Sequence, residues 1–171
     1  MLNKKLEKAL NDQINAEFYS SYLYLAMGGH FEAAGLPGCA QWMQAQTREE
    51  WFHGMKMYRF VLERGGRIEL KAIAAPPARW VSPLAVFENV LAHEQKVTGL
   101  INDLVDLAFK ERDHATTIFL QWFVSEQVEE EAAAMAIIGK LRLIGKDASG
   151  LFALDNELGQ RIFTPPPQEQ A

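Results

Sequence analysis

The stretch Arg48-Glu49-Glu50-Trp51-Phe52-His53 sits inside a longer segment, Gly38 to Arg64, and its reading decides the fold. Glu50 and His53 are three residues apart, so on a helix they project from one face, a turn from each other, and can share one metal ion. Alone, Glu-x-x-His is a common accident. Its setting is less common. Met43, Gln46, Glu50, His53, Met57 and Phe60 recur by strict alternation of three and four, the stripe a helix buries in a bundle. Ionisable side chains stand where apolar ones belong.

The same anomaly recurs outward from this segment. From about Asn3 to Glu32, Leu6, Leu10, Ile14, Glu17, Tyr24, Met27 and Phe31 follow helical spacing, and Gly35-Leu36-Pro37-Gly38 ends the pattern. Gly65 to Ser82, with Pro76-Pro77, has little periodicity and reads as a connection, with a short extended piece at Arg67–Leu70. Ser82-Pro83 is an N-cap followed by proline at the first helical position. A third stripe follows: Leu84, Phe87, Leu91, Glu94, Thr98, Ile101, Val105 and Ala108. Asp113 or a neighbour breaks that helix. The fourth stripe is Leu120, Phe123, Gln127, Glu130, Ala134, Ile137 and Leu141, ending near Gly145. A short amphipathic piece, Ser149–Leu158, precedes a proline-rich tail.

These boundaries predict four helices of roughly 27 to 31 residues, about 40 to 46 Å long at ~1.5 Å per residue. Tight links pair the first helix with the second and the third with the fourth. The Gly65–Ser82 connection reaches roughly 60 Å at ~3.3 Å per residue, enough to cross the bundle and let the second and third helices run parallel. The expected architecture is all-α: a four-helix bundle with one long crossover and a short fifth C-terminal helix. Residues 1–162 form one domain and 163–171 an unstructured tail.

Bulk properties narrow the function. The net charge of −5 comes without a basic patch, so nucleic acid is not an expected partner. No apolar run approaches the roughly 20 residues of a spanning helix, and the N-terminus has no apolar signal core. The lone Cys39 excludes an intrachain disulfide and suits a reducing compartment. A soluble, cytoplasmic protein without a membrane partner is expected.

Glu17, Glu50, Glu94 and Glu130 each fall near the middle of their helix, and mid-helix has the same height whichever way a helix points. The fold therefore brings four carboxylates and His53 to one interior layer. Unpaired anions there would be costly or would take up protons, and no Lys or Arg shares a seam at that height. Metal cations would neutralise them. Oxygen ligands with one imidazole suit iron or manganese, with zinc a competitor. Tyr24, two turns beyond Glu17 on the same face, is placed to hydrogen-bond a ligand or donate an electron; a core aromatic with its hydroxyl satisfied accounts for it equally. Glu126 and Glu129 share a face beside Glu130, where Glu49 could meet them across the groove. That arrangement would make a third, weaker metal site, although a solvated acidic face explains the spacing as simply.

At these residues the chain resembles the ferritins, and among them the non-haem bacterial ferritins. The resemblance is carried by Asn15 to Tyr24, Arg48 to His53, His93-Glu94, Glu126 to Glu130 and Leu154 to Gly159. It implies a diiron ferroxidase centre in which Glu17, Glu50 and His53 hold one iron. Glu50 bridges, and Glu94 and Glu130 serve the second iron with Gln127 alongside. Tyr24 matches the tyrosine beside the centre; Glu49, Glu126 and Glu129 match a third iron site. The family forms a 24-subunit hollow shell, oxidises Fe(II) with dioxygen or hydrogen peroxide, and stores ferric oxide inside. Bacterioferritins carry a second Glu-x-x-His on the fourth helix; here that frame reads Gln127-Val128-Glu129-Glu130. The position of the bacterioferritin haem methionine is Trp51, which cannot ligate iron, so the resemblance speaks against haem. Thr117 and Leu120 stand at the acidic three-fold pore positions of animal ferritins, against an entry route of that kind. Two other readings are a rubrerythrin-like peroxidase, which usually adds a Cys-rich domain, and a diiron oxidase with an apolar substrate cavity. A non-catalytic helical assembly module with structural cations is a further one.

Overall fold

The computed structural model describes residues 2–166. Five helices succeed one another: α1 Lys4–Ala33, α2 Pro37–Glu63, α3 Pro83–Lys110, α4 His114–Ile144 and α5 Ala148–Leu158. Four of them begin on a polar residue that accepts from the exposed first-turn amides, as helix N-termini require. Asn3 accepts from the Lys5 N–H, Ser82 from Ala85, Asp113 from Thr116, and Asp147 from Ser149 and Gly150. α2 follows Leu36, which has no capping group. Its cap comes from α5 instead: the Asp155 carboxylate accepts from the Gly38 N–H at 3.1 Å and the Cys39 N–H at 2.8 Å. The approach is so close that a Cβ on Gly38 would lie 1.7 Å from the Asp155 carbonyl oxygen. Glycine is required there by space.

Two apolar clusters fix the helix directions. One gathers Tyr24 and Phe31 of α1, Met43 of α2, Phe87 of α3 and Leu141 of α4, and is closed by Leu154 and Leu158 of α5. The other gathers Leu6 and Leu10, Met57 and Val61, Ile101 and Leu104, and Leu120 and Phe123. The late part of α1 thus lies with the early part of α2, the early part of α3 and the late part of α4. α1 and α2 are antiparallel, as are α3 and α4, while α2 and α3 run parallel, as expected from the long connection. α1 packs on α2 and α3, and α3 on α4. α2 and α4 stand farther apart, and side chains fill the gap, as in the Phe60–Phe119 stack at 3.8 Å.

The crossover rides on the outer face of α1. Asn11 donates to the Arg67 carbonyl and accepts from the Glu69 N–H, Lys71 pairs with Asp12, and Trp80 meets His30 near the far end of α1. The extended piece expected at 67–70 forms no strand, and no strand occurs among the described residues. A single carboxamide supplies the donor and acceptor that a neighbouring strand would have offered. The third stripe also needs correction. Glu94, Phe87, Ile101 and Ala108 are buried as expected, but Val90, Val97 and Leu104 are buried with them, while Leu91, Thr98 and Val105 are only partly covered. Both rows are largely apolar, and the helix turns the β-branched and Leu row inward. Of the proline-rich tail, residues 167–171 lie outside the described residues; Phe163 packs on Phe52 at 5.8 Å.

Candidate metal centre

Between the two apolar clusters, every helix of the bundle changes character for about one to three turns. On α1, Glu17 and Ser20 separate Ile14 from Tyr24; on α2, Gln46, Glu50 and His53 separate Met43 from Met57. Glu94 separates Val90 from Val97 on α3, and Gln127 and Glu130 separate Phe123 from Ala134 on α4. All these polar side chains are buried, and among the described residues no Lys or Arg is buried with them. The layer has acceptors in excess and no buried cation.

Within it, Glu17, Glu50 and His53 offer ligand atoms that all lie within 4.8 Å of one another. His53 Nδ1 is 3.6 Å from Glu50 Oε2. Glu94 and Glu130 face them from α3 and α4, near enough that their charges act on Glu50. Amides orient the carboxylates: Gln13 donates to Glu17 at 2.8 Å, Gln46 to Glu130 at 2.8 Å, and Gln127 to Glu94 at 3.2 Å. The Tyr24 hydroxyl donates to Glu94. Partners of this kind hold metal ligands in their binding orientation.

Burial dominates the protonation of the layer. It pushes Glu17 up to about 7 and Glu130 up to about 8, the neighbouring Glu94 charge adding to both. Burial, then the other carboxylates, raises Glu50 well above the carboxylate range, and burial raises Glu94 as well. The opposite sign applies to an imidazole: burial, with a smaller contribution from Lys56, lowers His53 to about 3. Burial therefore favours the neutral imidazole of His53, with a lone pair to give, and biases the carboxyls toward their protonated forms, whose protons a cation would displace.

A second group adjoins the first. Glu49, His53 and Glu126 also bring ligand atoms within 4.8 Å, so His53 belongs to both groups. Glu129, expected to join Glu49 and Glu126, stays exposed outside this set; burial raises the Glu49 and Glu126 carboxyls, and the Glu129 charge adds to both. Glu49 is held by Arg161, whose Nη2 donates to Glu49 Oε2 at 2.6 Å.

A family model described as ferritin-like domain matches residues 7–144. The chain is 45% identical over 161 residues to a bacterial non-heme ferritin of Bacteroides fragilis (strain 638R), covering 94% of this chain and 100% of that one. The chain belongs to the ferritin family. It is also 40% identical over 163 residues to a bacterial non-heme ferritin of Staphylococcus aureus (strain MRSA252), with 95% and 98% covered. Among solved structures, the open-pore ferritin of the hyperthermophilic archaeon Archaeoglobus fulgidus superposes with a TM-score of 0.94 at 54% identity, covering 94% of this chain and 99% of that one. An engineered closed form of the A. fulgidus ferritin gives 0.95 at 55%, covering 96% and 100%.

Sequence reasoning about this ferritin missed three residues that serve its polar layer. Gln13 and Gln46 each lie one turn before a seam carboxylate, a spacing that could have pointed to them. Arg161 is 112 positions from Glu49, beyond the reach of periodicity. Trp51 is exposed and stacks on Phe18 at 4.8 Å.

Proposed function

We propose that this ferritin stores iron by oxidising Fe(II) to Fe(III) at the mid-bundle layer and depositing the product as ferric oxide inside a shell of its own copies. One observation carries the reading: a buried, cation-poor layer to which each of the four long helices contributes a carboxylate, together with one neutral imidazole. Iron is the substrate. Oxygen donors with a single imidazole suit iron and leave it exchangeable, unlike a closed thiolate or multi-histidine site. Glu17, Glu50 and His53 take one Fe(II). Glu94 and Glu130 take the other with Gln127 beside them, and Glu50 lies between the two. Each Fe(II) gives one electron, so one dioxygen receives two electrons and two protons and leaves as hydrogen peroxide; with peroxide as oxidant, two waters result. Neither route frees a one-electron product of oxygen. The carboxyl protons displaced on binding are available for that reduction. Tyr24 fixes the position of Glu94. Glu49 and Glu126, with Glu129 nearby, form an accessory site for iron leaving the pair. The reading includes a 24-subunit assembly, a cytoplasmic location and no haem requirement, and the archaeal open-pore relatives make shell geometry worth measuring.

The test adds Fe(II) aerobically to the metal-free protein while ferric absorbance and particle mass are followed. Retention of hundreds of irons in a large shell is expected. A small oligomer that oxidises two irons per subunit and stops would exclude storage. His53→Ala and Glu130→Ala are expected to abolish the fast oxidation phase with assembly intact; oxidation at the parent rate in both would refute the ligand assignment.

A further inference from the structure

After α5 the chain turns back along α2. Gln41 donates to the Arg161 carbonyl at 3.1 Å, the Arg161 guanidinium carbon lies 4.5 Å from the centre of the Trp42 ring, and Phe163 reaches Phe52. Ile162, Phe163 and Thr164 thereby line one side of a cavity of about 280 Å³ whose other lining includes Glu49, His53 and Glu126. Among the described residues, Arg161 is the cation in contact with the accessory group. Lys56, the other nearby base, stands instead over the Trp122 ring at 4.5 Å.

We propose that Arg161 is a tethered stand-in for the metal at the accessory site: its guanidinium holds Glu49 until a divalent cation displaces it, and displacement loosens residues 161–166 over the site. The inference rests on the reading of Glu49 and Glu126, with Glu129 nearby, as an accessory cation site. A guanidinium keeps its charge at every accessible pH, so proton loss cannot remove it from Glu49. A cation bound to that carboxylate would sit a few ångström from it in a partly dehydrated groove, where like charges repel strongly. The contact runs through a single Glu49 oxygen, so it is not a forked pair and exchanges readily. The same residue carries the backbone carbonyl that Gln41 holds and begins the segment that borders the cavity. Loss of the Glu49 contact is therefore transmitted to the segment that lines the cavity beside the site. Cation binding and cover opening become one event.

The experiment titrates Zn(II), which is redox-inert, into the assembled metal-free protein by calorimetry. It compares the parent with Arg161→Gln and Arg161→Lys, and follows hydrogen exchange of the peptide beyond α5. The parent is expected to bind two zinc ions per subunit tightly and a third more weakly. Arg161→Gln is expected to tighten the third by about tenfold, the loss of one charge-assisted hydrogen bond, with the first two unchanged and Arg161→Lys in between. Exchange at residues 160–164 is expected to rise in the parent when the third zinc binds and to be high in Arg161→Gln from the start. A third affinity that is unchanged or weakened in Arg161→Gln, with exchange insensitive to zinc, overturns the latch while the accessory site stands. Absence of a third zinc from parent and variants alike overturns the accessory site and the latch together.

Discussion

Gln46 gives its amide to Glu130 and leaves its own Oε1 without a hydrogen-bond partner in the protein interior. An unpaired buried acceptor costs about 1–3 kcal/mol, so stability alone does not explain a glutamine here. Orientation of Glu130 does. Gln46→Leu keeps the volume, removes the orphaned oxygen and frees the carboxyl. The expected outcome is a melting temperature for the metal-free protein close to the parent's, because an unpaired Glu130 oxygen replaces the unpaired Gln46 oxygen, with the second Fe(II) of an anaerobic titration bound about tenfold more weakly, the usual cost of losing a partner of a metal ligand. A lower melting temperature with unaltered Fe(II) binding would assign Gln46 to packing. At this scale the sequence exposes what breaks a pattern. Glu17, Glu50, His53, Glu94 and Glu130 are visible because each interrupts an apolar stripe, and all five are buried. Gln46 lies in its stripe too, but a neutral amide in a seam has ordinary explanations. Arg161 interrupts nothing, because its partner lies in a distant helix.

Among the elements, α2 depends on α5 for its beginning. The Asp155 carboxylate satisfies two first-turn amides of α2, and both elements meet in the apolar cluster at that end. Asp155→Ala leaves those buried N–H groups without an acceptor, and a loss of about 1–3 kcal/mol is expected, read from denaturant midpoints. Anaerobic Fe(II) binding at the central layer, about three to four turns along α2, is expected to stay unchanged. Gly38→Ala is expected to be at least as disruptive, since the added methyl would meet backbone rather than a movable side chain. Helix lengths and starts were legible from the caps: Ser82-Pro83 opens α3 where read, and Asp113 caps α4 after Arg112 takes a left-handed turn at φ 54°. The orientation of α3 about its own axis was less so. Val90, Val97 and Leu104 compete with Leu91, Thr98 and Val105 for the core, one residue or about 100° apart on the helix, and only packing against α1 and α4 decides between two apolar rows. The cap of α2 was hidden for the same reason, since its acceptor is supplied by tertiary structure.

For the molecule as a whole, the polar layer sets a pH dependence with a definite sign. Glu17 and Glu130 have folded-state values raised to about 7 and about 8, above an unfolded carboxylate near 4.5. Folding therefore takes up protons, and stability present at low pH is lost as pH rises through those values. His53, lowered to about 3, and His93, lowered to about 4, act oppositely, but only below their unfolded value near 6.5. Between about pH 6.5 and 8 the carboxyls act unopposed. The melting temperature of the metal-free protein is expected to fall across that window, and saturating Zn(II) to raise it and flatten the slope, as calorimetric scans at three pH values would show. A metal-free protein that grows more stable toward pH 8 would contradict the buried layer. The helix directions carry one more consequence. Exchanging the α1–α2 hairpin with the α3–α4 hairpin reverses every helix, which is the action of a two-fold axis perpendicular to the bundle and passing through its middle. The polar layer lies on that axis. Glu17 then answers to Glu94, Glu50 to Gln127, and His53 to Glu130. Backbone symmetry would make two equivalent half-sites, and the side chains break it: one half holds an imidazole and two carboxylates, the other two carboxylates and an amide. The two halves of the layer are chemically unequal by composition, so two identical cations entering it meet different affinities, and filling is ordered without any movement of the backbone.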